Sequence, residues 1–353
     1  MPPLSFEVGP DPGHELHSLP LVTLHLTERC NSRCVSCDYW RHGRDDMTLA
    51  SVTRLLPELL ALQTHTVLIS GGEPLLHPQW PQIAQLWRDR GMSLWLVTSG
   101  LSLAKHASRA ATLFDAITVS LDGATPAMYA AIRGLNAFDK VCEGIRRVVL
   151  EGASVSIRVT VQRMNYRALP GFVDLAKTLG VAEISFLAAD VANTVAFGRD
   201  SSFRDDSPTN LSLQPADLPE FAAVLGAMEQ THAADFRSGL IAESPRKLRR
   251  LYDYFAAVCG LCAFPPTRCN APEFSAVVGA TGRVSPCFFI NGPAPTAAVQ
   301  GLRDDLNAAA MIDLRRDIRA GRRPECSTCV CSLWRNPQEL SAFRLERASH
   351  AAV

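Results

Sequence analysis

The chain lacks net charge: its 35 Lys and Arg residues cancel its 35 Asp and Glu residues. That balance argues against a nucleic-acid binder that works by neutralising phosphates. No window approaches the ~18 uninterrupted apolar residues of a membrane-crossing helix, so no membrane partner is expected. Residues 1–20 contain Glu7, Asp11 and Glu15 and lack the apolar core of a secretory signal, which points to a cytoplasmic protein. Repeats at a solenoid period and low-complexity tracts are also missing. What is present is an ordinary apolar share, 47% of 353 residues, enough to bury a large core and to exclude disorder over most of the chain. The length suits one barrel-sized domain with a small appendage, or two domains.

Cysteine is the anomaly. Eleven are present, at positions 30, 34, 37, 142, 259, 262, 269, 287, 326, 329 and 331. The odd number, the tight clustering and the absent export signal make a disulfide scaffold a poor reading. In a reducing cytoplasm such clusters hold metal. Cys142 falls inside a helix-length run and reads as a small buried hydrophobe.

Between Leu21 and Ala188, apolar runs of strand length alternate with amphipathic runs of helix length. Strands are expected at Leu21–Leu26, Thr66–Ser70, Ser93–Thr98, Ala116–Leu121, Val155–Val161 and Glu183–Ala188. Helices are expected at Met47–Leu62, Pro78–Arg90, Ser102–Phe114, Pro126–Arg133, Phe138–Glu151 and Leu169–Leu179. Six β/α repeats imply parallel strands with right-handed crossovers. Six fall short of the eight that close a barrel, so the expected fold is α/β: a partial (β/α)6 barrel. Asn193–Asn210 reads as a polar loop; Pro215–Thr231 and Ser244–Val258 read as helices. From Cys259 the texture changes, with dense cysteines, Pro265-Pro266 and short strands at Phe274–Val278 and Val284–Ile290. The expected division is a lead-in over 1–20, a barrel over 21–235, a small cysteine-rich α+β domain over 236–340 and a tail over 341–353.

After the first expected strand the chain reads Cys30-Asn31-Ser32-Arg33-Cys34-Val35-Ser36-Cys37, a C-x3-C-x2-C spacing. Three thiolates on one loop leave one iron of a four-iron cluster without a protein ligand. A closed zinc site is the alternative, and it needs a fourth ligand such as His25 or His42. After the second strand comes Ser70-Gly71-Gly72-Glu73-Pro74, where glycines let backbone approach a ligand and a carboxylate is available to orient an ammonium.

Together these segments resemble the radical S-adenosylmethionine (radical SAM) enzymes. The resemblance implies a 4Fe–4S cluster held by Cys30, Cys34 and Cys37, with S-adenosylmethionine chelated at the open iron. It further implies SAM contacts from Gly71, Gly72 and Glu73, from Ser99 after the third strand, and from Ser120 and Asp122 after the fourth. Arg133 and Arg158 are cofactor-binding candidates too, Arg158 as an inward residue reaching the SAM carboxylate, with a structural ion pair as the alternative for each. One departure is Ser36, which stands where the family usually has an aromatic residue against adenine; Tyr39 or Trp40 is the expected substitute.

Nearer the C-terminus, Cys269, Gly282, Cys287 and then Cys326-Ser327-Thr328-Cys329 resemble a Twitch domain, the shortened form of the SPASM auxiliary-cluster domain. The resemblance implies a second 4Fe–4S cluster held by Cys269, Cys287, Cys326 and Cys329, with a hairpin turning at Gly282 and a C-x2-C at the start of the last helix. Cys331, Cys259 and Cys262 are possible substitutes, and four-cysteine zinc fits the same spacing. A cluster filled by four thiolates serves electron transfer or shapes the pocket.

The implied activity is reductive cleavage of SAM to a 5′-deoxyadenosyl radical that takes a hydrogen atom from an unactivated C–H bond. A one-electron donor such as flavodoxin or ferredoxin is the implied partner. Only 20 residues precede Leu21, too few for a leader-peptide module. The expected substrate is therefore a small hydroxylated metabolite, sugar-, cyclitol- or nucleoside-like. A maturase acting on a ribosomal peptide or protein is the second reading, and a zinc-binding non-redox protein the third. Asp190, Asn193, Arg199 and Asn210 are polar candidates for substrate contact on a loop.

Overall fold

The computed structural model describes residues 15–199, 211–293, 301–331 and 333–336. Most of the expected lead-in, the second half of the Asn193–Asn210 loop with Asn210 itself, and the tail lie outside the described residues.

Six parallel strands form the main wall: β1 (Leu21–Thr27), β2 (Thr66–Gly71), β3 (Ser93–Thr98), β4 (Ala116–Ser120), β5 (Val155–Val161) and β6 (Glu183–Ala188). The helices between them are α1 (Tyr39–His42), α2 (Leu49–Ala61), α3 (Trp80–Arg88), α4 (Leu103–Leu113), α5 (Pro126–Arg133), α6 (Phe138–Leu150) and α7 (Leu169–Leu179). Strands 1 to 6 lie side by side in chain order. Right-handed crossovers in an unreversed order put every helix on one face and leave the other bare, which is the wall of a partial barrel.

Side-chain alternation confirms the two faces. Val22, Leu24, Val67, Ile69, Leu94, Leu96, Ile117, Val119, Ile157 and Val159 join the helices in the large core. The opposite parity faces the lumen. Its floor is apolar, a separate cluster of Leu21, Leu68 and Trp95 with Val97 and Ala116 against it. Above that floor the same face turns polar, with Thr23, His25, Ser70, Thr118, Ser120, Ser156, Arg158 and Ser185. Thr118 and Ser156 sit opposite each other, their hydroxyls 2.9 Å apart.

The remaining elements are α8 (Leu218–Thr231), α9 (Ala233–Ser238), α10 (Pro245–Val258), β7 (Ser275–Val278), β8 (Val284–Ser285), α11 (Leu302–Asn307), α12 (Ala309–Arg319) and α13 (Pro324–Ser327). The hairpin does not stand apart from the barrel. β7 pairs in parallel with β1, Leu21 opposite Ser275 through Leu24 opposite Val278, so one eight-stranded sheet runs β6-β5-β4-β3-β2-β1-β7-β8. Gly282 makes the turn with φ +87°, a region that favours glycine.

Two expectations need correcting. The strand at Val284–Ile290 stops after Ser285, because Pro286 has no N–H for the ladder and the chain turns back, with Cys287 bridging to Ile290. The last C-x2-C does not open a long helix: Cys326 lies in the four-residue α13 and Cys329 beyond it. Cys142 is 2% exposed in the core of α6, as its helical position predicts.

Candidate active site

The loop carrying Cys30, Cys34 and Cys37 is built onto its neighbours by backbone. Gly72 N–H donates to Thr27 O at 2.7 Å and Glu73 N–H to Arg29 O at 2.8 Å. A Cβ on Gly72 would lie 2.4 Å from Arg29 O, and one on Gly71 2.3 Å from Thr27 O. These glycines therefore let β2 approach the cysteine loop itself, a demand separate from any ligand. The Glu73 side chain is fully buried. It accepts from Thr98 Oγ1 at 2.7 Å, Ser99 N–H at 2.7 Å and Leu75 N–H at 3.1 Å. This carboxylate knits the ends of β2 and β3 and is not available to orient an ammonium. Ser99 follows β3 with its hydroxyl buried and unpartnered.

Helix α5 supports the loop from the other side. Thr125 caps it by accepting from Met128 N–H, Pro126 occupies its first turn and Gly134 ends it at φ +71°. Arg33 N–H donates to Arg133 O and Val35 N–H to Ile132 O, both at 3.0 Å. A Cβ on Gly134 would sit 2.5 Å from Arg33 O. The Arg133 guanidinium pairs with Asp122 (2.9 Å) and donates to Cys34 Sγ at 3.3 Å. Asp122 also accepts from Thr160 N–H at 2.7 Å. Asp122 was expected to contact SAM, and Arg133 either to contact SAM or to form a structural ion pair; the structure shows the ion pair, a buried brace on a cysteine. Burial works against the Arg133 charge, but Asp122 and Cys34 outweigh it and hold its pKa up.

The polar residues of the loop after β6 are not solvated. Asp190, Asn193 and Arg199 are each less than a tenth exposed. Arg199 donates to Asn193 O at 3.0 Å and to Ser36 O at 2.7 Å, beside the third cysteine. Asn193 Nδ2 donates to Phe289 O at 2.7 Å. Asn193 and Arg199, offered as substrate contacts, form a strut from the first cysteine loop to the hairpin. The Cys37 thiol completes it by donating to Phe197 O at 3.3 Å.

Tyr39 does not present a free ring in place of the missing aromatic. Its hydroxyl lies 3.4 Å from His25 Nδ1, and Gly198 packs against it. Trp40 donates to Cys34 O at 3.3 Å. His25, Phe288 and Phe197 continue an edge-on aromatic chain toward Cys287. Burial pushes His25 down to about 4, so the ring is neutral. The sequence reading passed over Phe197, Phe288 and Phe289; the Phe288-Phe289 pair directly after Cys287 was the available signal.

Five cysteines gather at the second site. Burial raises the pKa values of Cys287, Cys326, Cys329 and Cys331, and neighbouring thiols of the set, Cys269 among them, add to the rise. Cys331 thus belongs to the group itself. Cys259 and Cys262 do not join it: their thiols donate to Leu213 O and Asp253 O around α10. Asn270 clips the segments together through Leu333 O, Arg335 O and Arg335 N–H.

These donors fit iron–sulfur clusters. Burial first, and then the other thiols, push Cys30 up to about 11 and raise Cys37 further; Cys287 stands at about 12. Such thiols ionise readily only against a bound cation. Among the described residues no three His, Cys, Asp or Glu side chains crowd closely enough for a single metal ion, and His25 does not complete the first set. A cubane of four irons spaces its thiolates more widely than one zinc ion, whose sulfurs lie at about 2.3 Å from the metal.

The comparisons bear on this geometry. Residues 24–176 match the Radical SAM superfamily profile. That superfamily works with a 4Fe–4S cluster and S-adenosylmethionine. The chain is 28% identical over 211 residues to Fe-coproporphyrin III synthase of Methanosarcina barkeri, covering 56% of this chain and 50% of that protein. It is 31% identical over 184 residues to PqqA peptide cyclase of Streptomyces rochei, covering 50% and 49%. It spans about half the length of the curated relatives it matches. The fold resembles Streptococcus suis SuiB bound to its precursor peptide SuiA, with a TM-score of 0.63 and 13% identity over 96% of this chain and 76% of that one. Residues 24–176, with the first cysteine set and the first five strands, are a radical SAM superfamily domain.

Proposed function

We propose that this chain is a radical SAM maturase that modifies a ribosomally made peptide or protein. The radical chemistry is carried by one observation: three half-buried thiols on a single loop at the C-terminal mouth of a parallel barrel wall, where barrel enzymes place their chemistry. Cys30, Cys34 and Cys37 would hold a 4Fe–4S cluster, which would supply the electron for reductive cleavage of SAM. A flavodoxin or ferredoxin suits the role of electron source. The second set, Cys269, Cys287, Cys326, Cys329 and Cys331, would hold an auxiliary cluster.

The substrate class rests on the relatives. PqqA peptide cyclase is named for a peptide, and SuiB was crystallised with one. This displaces the small hydroxylated metabolite expected from the short stretch before Leu21.

The chain's own residues do the positioning. Arg133 and Asp122 brace Cys34, and Arg199 and Asn193 fix the cysteine loop against the hairpin. The Leu21, Leu68 and Trp95 floor closes the lumen from below and excludes water from a reactive radical. The hydroxyl-lined wall above it offers hydrogen bonds to a bound chain.

The test is anaerobic turnover of the iron-loaded protein with SAM, reductant and a synthetic peptide encoded by a short reading frame beside the gene. The reading predicts a stable change in peptide mass matched to 5′-deoxyadenosine formed. Modification of a sugar or nucleoside instead, with the peptide unchanged, would contradict it.

A further inference from the structure

Beside the second cysteine set the surface carries a positive charge that the fold does not explain. Residues 246–268 hold five basic side chains, Arg246, Lys247, Arg249, Arg250 and Arg268, against a single acid, Asp253. Arg249 lies 3.2 Å from Glu229 on α8, and Lys247 3.9 Å from Glu243. Neither Arg246 nor Arg250 has a carboxylate within ion-pair distance among the described residues. Arg246 and Lys247 occupy the first turn of α10, which contains no acid and where the helix dipole disfavours cations. α10 buries Leu248, Leu251 and Phe255, and Arg246 and Arg250 stand one turn apart on its outer side. The chain then doubles back along the helix: Phe264 meets Tyr254 at 5.8 Å between ring centroids, and Arg250 donates to Pro266 O at 3.0 Å. Two residues on, Arg268 is exposed and directly precedes Cys269. Its guanidinium lies 3.8 Å from the ring centroid of Trp334, which is 43% exposed. The neighbouring Leu333 is buried with Ala271 and Phe274 against Cys269 and Cys331.

We propose that Arg246, Arg250, Arg268 and Trp334 form the docking surface for an acidic one-electron carrier protein of the flavodoxin class, which rests on the auxiliary-cluster reading above and brings the carrier to the second cysteine set. Surplus positive charge steers an acidic partner, and an exposed tryptophan stacked on an arginine is the kind of pair that anchors an interface. The first cysteine loop offers no such surplus. Residues 28–46 carry four arginines and four acids, with Arg29 2.6 Å from Asp46 and Arg41 3.3 Å from Asp38. Position selects a redox carrier over an acidic peptide, since Arg268 adjoins Cys269 and Trp334 follows Cys331 by three residues.

The test is calorimetric titration of the anaerobic, iron-loaded protein with an oxidised flavodoxin, wild type beside Arg246→Glu, Arg246→Lys, Trp334→Ala and, at the first loop, Arg44→Glu. Wild type should bind saturably and more weakly as salt is raised. Arg246→Glu should weaken binding about tenfold with iron content unchanged, because a carboxylate there repels the partner yet suits the helix start. Trp334→Ala should also lose about tenfold. Arg246→Lys, which keeps the charge, and Arg44→Glu should stay within about twofold of wild type. No binding by wild type, or equal loss in Arg246→Glu and Arg44→Glu, overturns the surface, and so does a loss confined to Arg44→Glu. A polyglutamate peptide that binds as tightly as flavodoxin and depends equally on Arg246 overturns the carrier claim in favour of an acidic-peptide site. A protein that modifies its peptide with a chemical reductant but ignores flavodoxin refutes the surface alone. One that binds the carrier as stated yet modifies no peptide refutes the maturase reading alone.

Discussion

The two cysteine sets are assembled in opposite ways. The first comes from eight consecutive residues, Cys30 to Cys37, held by backbone hydrogen bonds to Gly72, Glu73 and Arg133 neighbours and by two buried arginines. The second draws five thiols from three separated segments, and its tightest sulfur contact, Cys329 Sγ to Cys331 O at 3.0 Å, is internal to its own loop. The first loop is fixed by the barrel before any cluster arrives. The second set has more thiols than a four-iron cage needs, and its separate segments are tied by the Asn270 clip and the Ala271, Phe274 and Leu333 cluster rather than carried on one loop. A preformed, under-coordinated site suits binding and cleaving SAM; an over-supplied one suits a closed cluster.

The largest expected difference is functional. Cys34→Ala should reduce 5′-deoxyadenosine formation to background, while Cys287→Ala should lower iron content and leave SAM binding intact; equal loss of SAM binding in both would erase the contrast. Next, Gly72→Ala should displace the first loop, since its Cβ would meet Arg29 O at 2.4 Å. Iron should be lost from the first site and kept at the second, as read by spectra of the reconstituted protein.

The strut should matter to both sites. Arg199→Met leaves Ser36 O and Asn193 O without their donor, which costs about 3–6 kcal/mol for two hydrogen bonds to a buried charged group. Urea unfolding measures it, and an unchanged midpoint would show that the hairpin and loop are independent. His25 gives a smaller, pH-dependent effect. Its folded pKa is depressed from 6.5 to about 4, so the unfolded chain takes the proton first as pH falls. The stability it contributes is complete above pH 6.5 and declines toward pH 4, by about 2 kcal/mol at pH 5. His25→Gln should flatten that part of the wild-type pH profile. The smallest effect is expected at Cys259→Ser with Cys262→Ser, which should leave iron content unchanged because neither thiol joins a set.

The same contrast explains what was legible in the sequence. The six strands and their helices repeat a local pattern, and Pro126–Arg133, Val155–Val161, Leu169–Leu179 and Glu183–Ala188 stand where periodicity puts them. The first cysteine set is equally local. Cys331 could not be chosen over Cys259 or Cys262 from spacing, because contacts distant in sequence, the clip at Asn270 and the packing of Ala271 and Phe274 against Leu333, bring the 269 and 331 segments together. Asp122, Arg133 and Glu73 looked like ligand contacts, because motif position names the residue and not its partner. Arg199 looked like a substrate contact on a polar loop, since nothing local to it shows that Ser36, 163 residues earlier, would meet it.

Mössbauer spectroscopy of protein reconstituted with iron-57, wild type beside the Cys30→Ala, Cys34→Ala, Cys37→Ala triple variant, tests the central claim most directly. Wild type should hold about eight irons per chain in two cubanes, one of which changes its spectrum when SAM is added. The triple variant should keep one cubane that ignores SAM. A triple variant whose remaining cluster still responds to SAM, or a wild type with a single cluster that never does, would contradict the division of labour between the two sets.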